Sequence, residues 1–359
     1  MPADHLTPAD TLETALAKVL TGTPLTDAAS AVGMEAAALA DAIEVYRQAG
    51  RRALDHHTNP GWWQVYIRFT DWDLAEPAVA DHLAPLLQRA EADGMIAAWW
   101  FIRKHPCWRL RLQPGPAGRA MTANLAAALD QLTTEGQIGG WWPGIYEAET
   151  AAFGGNPGID IAHDLFCADS RAIITMLRSE ETTLGRRELS LLLCSTLMRA
   201  ANLEWYEQGD VWHRVTQERP LPTDIPTAKM TAMADEIKHV MLADATPNGP
   251  LLGASGPLTS AASWAEAFRQ AGQTLGATAR EGTLQRGLRE IISYLVIFHW
   301  NRLGLPVRTQ SILAGAARGA ILASNPVLGA ELSGARPRPG ARLRPPRAGH
   351  PGAGDLGTR

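Results

Sequence analysis

The sequence predicts an α+β protein, a mixed sheet of few strands packed with many helices, and three observations predict it. The stretch WWQVYIRF alternates so that Trp63, Val65, Ile67 and Phe69 share one face, the period-two pattern of a half-buried strand. MIAAWWFIRK and WRLRL repeat strand patterns on either side of a turn at His105 and Pro106. From Pro116 onward helical spacing dominates, with a strand-like insertion from Gly136 to Tyr146.

Taken in order, residues 11 to 54 are rich in Ala and Leu at helical spacing, and TPLTDAASAVGMEAAALADAIEVYRQAG predicts a short helix, a turn at Gly33 and a longer helix. The pattern resembles a helix-turn-helix. Its second helix carries Glu35, Asp41 and Glu44 before Arg47, which disfavours nucleic acid and leaves a docking or dimerising module as the preferred reading. Asn59, Pro60 and Gly61 punctuate the chain, so residues 1–57 are assigned to a helical segment and 58–325 to a larger domain. After the first strand, Asp73 is the expected N-cap of a helix with Leu83, Leu86, Leu87 and Ala90 as its apolar stripe and Gly94 as its stop. In WRLRL, Trp108, Leu110 and Leu112 point one way and Arg109 and Arg111 the other. Long helical patterns follow near 160–178, 186–208, 227–243 and 261–277. The final strong helix is expected from Thr283 to Gly304, and its segment IISYLVIFHW, apolar nearly all round, places it at the centre. Beyond Ala323 the composition turns to Pro, Gly and Arg, and residues 326–359 are expected to be a disordered tail.

Composition excludes several classes. A chain of 359 residues with 46% hydrophobic content can bury a large core, while a net charge of −4 gives no general attraction for nucleic acid. No apolar run reaches the roughly 18 to 20 residues of a membrane span, and MPADHLTPAD lacks a basic start followed by an apolar core, so the expected location is the cytoplasm. Cys107, Cys167 and Cys194 are widely spaced without a CxxC pair and are read as reduced core thiols. The histidines form no HExxH or i, i+4 pair, so no metal is expected. Twelve tryptophans outnumber the tyrosines and phenylalanines taken together, and six of them form the doublets at Trp62, Trp99 and Trp141. Wide aromatic walls suit a peptide or heterocycle groove, although packed core is the commoner use of Trp.

Three stretches between Trp62 and Ala323 carry a family resemblance: WWQVYIRF to WRLRL, YEAETAAFGGNPGIDIAHDLFCADS, and FHWNRLG. They resemble the elimination domain of lanthipeptide dehydratases, which removes glutamate from glutamylated Ser or Thr, and most closely its small stand-alone form in thiopeptide biosynthesis. Eliminating members of the family read HLRLR in the strand, an Arg before the Tyr/Phe-Gly-Gly element, and a catalytic His four residues before the Asn-Arg of the last helix. Here Arg109 and Arg111 persist, but Trp108 replaces the strand His, Ala152 precedes Phe153, Gly154 and Gly155, and Ile297 stands at the helix position, with His299 two residues on. A base near the α-carbon and cations on the leaving carboxylate are what elimination needs, and both are depleted. The chain is therefore similar to the pyridine synthases of thiopeptide biosynthesis, which join two dehydroalanines in a formal [4+2] cycloaddition and aromatise the ring with loss of water and leader peptide.

That resemblance implies no cofactor and, as partners, a leader-bearing dehydrated azole-containing precursor peptide, other biosynthetic enzymes and a second copy of the chain. The alternatives are a glutamate-eliminating subunit and a non-catalytic precursor-docking protein. The expected catalytic residues are Tyr294 or His299 as proton carrier and Arg109 as the group that polarises an amide oxygen. Against these stand a packed ring for Tyr294, a core histidine bonded to backbone for His299, and an ion pair with Glu147 or Glu149 for the arginines. Arg111, Trp108, Tyr146, Glu149 and Phe153, with Ser293 and Asn301 of the last helix, complete the expected substrate-binding set. Asn301 and Arg302 also suit ties to loops and carbonyls, and Tyr146 and Asp169 suit caps or turns. Gly154 and Gly155 are expected to make a tight turn rather than a phosphate loop, since no lysine pattern follows.

Overall fold

The computed structural model describes residues 8–58, 61–179 and 184–322. Three helices open the chain: α1 (Pro8–Leu20), α2 (Leu25–Ala31) and α3 (Ala36–Thr58). Gly33, at a φ of 65°, turns the chain between the last two. Ala15 and Leu16 of α1, Ala28 and Ala29 of α2, and Leu39 and Ile43 of α3 close a small core of their own.

The main body begins with β1 (Trp63–Arg68), followed by α4 (Ala75–Ala78), a π-helical turn at Val79–Leu83 and α5 (Ala84–Ala92). Next come β2 (Ile96–Lys104), β3 (Cys107–Pro114), α6 (Met121–Thr134) and β4 (Gly140–Gly144). The four strands form one sheet in the order β2-β3-β1-β4, antiparallel throughout rather than mixed. The β2–β3 hairpin turns through a cis His105–Pro106 peptide. Alternation does what the sequence predicts: Val65, Ile67 and Phe69 are buried on one face, where Ile67 and Phe69 meet Val79, Leu83 and, from α6, Leu129. On the other face Trp100 of β2 lies against Phe166 of a later helix, so helices cover both sides. The first helix does not start at Asp73. Leu74 occupies the N-cap position without a side-chain hydrogen bond, and the Asp71 carboxylate instead accepts the Asp73 backbone N–H at 2.9 Å.

The rest is helical: α7 (Asn156–Arg178), α8 (Arg186–Ala200), α9 (Trp205–Glu218), α10 (Thr227–Leu242), α11 (Ala262–Arg280), α12 (Leu288–Leu303) and α13 (Val307–Leu322). The expected helix 186–208 is two helices, because Asn202 takes a left-handed φ of 62° and Glu204 starts α9 with a capping box closed by Glu207. Helix α12 is the central one, buried at Ile291, Ile292, Leu295, Val296, Trp300 and Leu303 and packed against α7, α8, α9 and β2. It is not the last. Gly304, at a φ of 78°, ends it, and α13 follows, buried through the small side chains Ala314, Ala316, Ala317 and Ala320. The expected tail, 326–359, lies outside the described residues. No helix among the described residues is long and apolar enough to cross a membrane.

Candidate active site

A cavity of about 900 Å³ opens where the β2–β3 hairpin meets α12 and the start of α13. Helix α12 supplies Tyr294, Ile297, Phe298 and Asn301, which share one face by the i, i+3, i+4, i+7 rule. Strand β3 supplies Arg109 and Arg111, with Trp108 at its end, and Glu149 also lines the cavity.

Arg111 is held rigidly. It is 4% exposed, its Nε donates to Gln64 Oε1 at 2.8 Å, and its guanidinium lies 4.2 Å from the Trp100 ring centre and 5.1 Å from that of Tyr146. Gln64 in turn donates to the Ile145 carbonyl at 3.0 Å, which fixes the amide that Arg111 uses. Burial draws the guanidinium down to about 10, so it stays charged near neutrality. Behind it, Tyr146 Oη and His163 Nε2 are 2.8 Å apart. Burial, then the nearby Glu149, pushes the Tyr146 phenol well above its ordinary value, whereas burial and the Arg111 charge draw His163 down to about 4. The imidazole is therefore neutral near pH 7, and it shares one hydrogen bond with the phenol through Nε2. Arg109 faces the same side of the sheet, its guanidinium 5.2 Å from the Tyr66 ring, and Tyr66 stacks on Trp142 at 5.5 Å. The register Arg109↔Tyr66↔Trp142 makes this a ladder across three strands from the cavity to the sheet edge.

Two further charge clusters frame the site. At one end Glu76 takes hydrogen bonds from Arg103 and Arg186. Burial alone would raise its carboxyl, but the Arg186 hydrogen bonds and the Arg103 charge outweigh that and hold it at about 2. Deeper, Asp169 of α7 is fully buried and receives three donors: His299 Nδ1 at 2.9 Å, Arg302 Nε at 2.6 Å and Trp264 Nε1 at 2.8 Å. Burial works against ionising Asp169, yet the charges and hydrogen bonds of His299 and Arg302 hold its carboxyl below the usual range. The Arg302 guanidinium also rests 4.2 Å from the Phe166 ring centre.

The expected site residues therefore separate into groups. The cavity wall contains Arg109, Arg111, Trp108, Glu149, Tyr294 and Asn301. Tyr146 backs Arg111, and Phe153, fully buried, packs 5.3 Å from Phe298 and 6.4 Å from Tyr294. Ser293 spends its hydroxyl on the Glu290 carbonyl at 2.7 Å. His299 is on the far side of α12 from the cavity, its ring edge-on to Phe268 at 5.0 Å, and is tied to a side chain rather than to backbone. Asp169, expected as a cap or turn residue, is mid-helix and binds Arg302, so Arg302 serves a buried carboxylate rather than loop carbonyls. The arginines of β3 find Gln64 and Tyr66 instead of the glutamates. Gly154 and Gly155 do turn with φ of 83° and 93°, and a Cβ on Gly154 would stand 2.6 Å from Ile291 of α12. His163 was not singled out in the sequence. The signal was its i, i+3 spacing with Phe166 on the apolar face of α7, hidden within the block that carried the family resemblance.

Residues 62–321 match the family described as lantibiotic biosynthesis dehydratase C-term. No curated protein sequence matches the chain. Among solved structures, the tRNA-dependent lantibiotic dehydratase MibB from Microbispora sp. 107891 is similar at 22% identity and a TM-score of 0.54, over 73% of this chain. The chain spans only 28% of MibB's length. TsrL is similar at 15% identity and a TM-score of 0.52, over 78% of this chain and 100% of TsrL. The pyridine synthase TbtD, from thiomuracin biosynthesis, is similar at 12% identity and a TM-score of 0.49, over 73% of this chain and 98% of TbtD.

Proposed function

The chain belongs to the lantibiotic dehydratase C-terminal family, and we propose that within it the protein is a pyridine-forming cyclase acting on a ribosomally made, dehydrated, azole-bearing peptide. One observation carries this reading. The α12 position where eliminating relatives are expected to keep a base is Ile297, an apolar part of the cavity wall, and the neighbouring imidazole, His299, faces Asp169 in the core. A cavity without an imidazole on that helix face is poorly equipped to abstract an α-proton, but it retains what a cycloaddition requires.

That reaction needs two alkenes held in register and one amide drawn toward its iminol, which turns a dehydroalanine into an azadiene. Two carbon–carbon bonds then form, and aromatisation expels water from the former amide carbon and the leader as a carboxamide. Arg109 and Arg111 are placed to donate to amide oxygens, the second pre-oriented by Gln64 and its aromatic box. Tyr294, the titratable side chain on the cavity face of α12, is the group for proton transfer. His299 enters this scheme as part of the tie between α7 and α12. The Arg109–Tyr66–Trp142 ladder offers flat faces to the azole rings of the peptide.

The test is incubation with a synthetic leader-linked peptide bearing azoles and two dehydroalanines, followed by mass and ultraviolet absorbance. A pyridine macrocycle and free leader carboxamide are expected. An unchanged substrate, together with loss of glutamate from a glutamylated peptide, would reverse the assignment to elimination.

A further inference from the structure

Asn301 lines the cavity, and which end of its amide faces the substrate is decided by two other lining residues, Arg219 and Gln310. Arg219, at the C-cap of α9, donates from Nε to Gln310 Oε1 at 2.9 Å. A guanidinium can only donate, so the oxygen of the Gln310 amide must face it. The Gln310 nitrogen then points the other way and donates to the Leu305 carbonyl at 2.8 Å, an acceptor-only group that independently demands the same orientation. That nitrogen also lies 3.0 Å from the Asn301 side chain, which must present Oδ1 to it. Gln310 is 1% exposed, so neither amide end is satisfied by bulk water. By elimination, the Asn301 Nδ2 group is the end left for the cavity, and it meets no acceptor among the described residues.

We propose that Arg219 and Gln310 are positioning residues that lock Asn301 with its amide N–H₂ toward the cavity, making a subsite for a backbone carbonyl oxygen of an extended peptide. The proposal deepens the cyclase reading and rests on it for the identity of the peptide. Helix α13 supplies Gln310, and α9 supplies Arg219, so two helices that carry no other polar group of the proposed chemistry set the polarity of the subsite. A carbonyl acceptor, rather than an ammonium or hydroxyl donor, is what such a fixed N–H₂ selects.

Asn301→Asp separates this role from a structural one, because the new carboxylate still accepts from Gln310 while the cavity loses its donor. For the wild type and the bis-dehydroalanine peptide, KM is expected to rise about tenfold in Asn301→Asp with kcat little changed and the melting temperature retained. Gln310→Glu pairs with Arg219 but has no proton for Asn301, so the Asn301 amide turns inward to donate to it, and KM is expected to rise similarly. Arg219→Lys, which keeps a donor beside Gln310, is expected to retain most of the wild-type affinity. Equal KM in Asn301→Asp and wild type would overturn the proposal.

If the wild type does not process that peptide, the cyclase reading fails, and the relay is then decided without substrate. In protein labelled with ¹⁵N at asparagine, the Asn301 side-chain N–H₂, identified by its loss in Asn301→Asp, should exchange freely with water in the wild type. It should be protected in Gln310→Glu. Equal protection in both proteins would overturn the relay.

Discussion

Tyr294 and His299 are five residues apart on one helix, and 3.6 residues per turn sends them to opposite sides of it. Sequence alone left either as the proton carrier; burial and partners separate them, because Asp169, their arbiter, is distant in the chain and its packing cannot be read from spacing. Tyr294→Phe is expected to lower kcat about 100-fold in the cyclisation assay, with the unfolding midpoint unchanged, since the ring and its contact with Phe153 remain. Undiminished turnover would remove the phenol from the chemistry. His163 gives a second test at this scale. Its folded pKa of about 4 lies below its ordinary 6.5, so the unfolded chain binds the proton first. Its contribution is complete above about 6.5 and is lost as pH falls toward 4, up to about 3 kcal/mol. Glu76, held at about 2, loses its contribution as pH falls from its ordinary 4.5 toward 2. His213, also lowered by burial first, acts in the same direction as His163. Urea melts across this window should therefore show a shallower acid decline in His163→Gln than in wild type, though not a flat one.

At the scale of elements, the strands and the central helix were legible because each has a strong period: β1 alternates, and IISYLVIFHW is apolar on every side. Helix α13 was not, because LAGAARGA packs through small side chains that barely change hydropathy from face to face. That omission hid Gln310 and Val307, which line the cavity. The break at Asn202 was equally hidden, since a single left-handed residue leaves no period. Helix α12 works as a two-sided element, its cavity face carrying Tyr294 and Asn301 and its core face carrying His299 and Arg302. The latter pair fixes the register of α12 on α7 through Asp169. Removing that carboxylate strands a fully buried guanidinium whose Nη1 and Nη2 have no hydrogen-bond partner among the described residues. Asp169→Asn is thus expected to cost about 3–5 kcal/mol in urea unfolding. Adding Arg302→Met should recover much of it, because a volume-matched apolar side chain needs no counter-charge. A loss in the single variant below about 1 kcal/mol would contradict the buried ion pair's role.

For the whole molecule, the core divides unevenly. Among the described residues, the main body buries a set running from Val65 to Leu322, while α1, α2 and α3 gather six buried side chains, none of which belongs to the larger set. So small a core supplies little stability by itself, and the cost of losing it should fall on those helices alone. A chain starting at Gly61 is therefore expected to unfold in one cooperative transition at the midpoint of the main transition of the full protein. The full protein should show an earlier, smaller helical loss by circular dichroism as the N-terminal helices melt. The same truncated chain separates docking from chemistry. If α1, α2 and α3 serve to hold other proteins or the leader, truncation should raise KM for a leader-linked peptide while a leaderless peptide reacts as before. Collapse of the main transition on truncation would show instead that the two cores are one cooperative unit, and that the Asn59–Pro60–Gly61 punctuation marks a bend in a single domain.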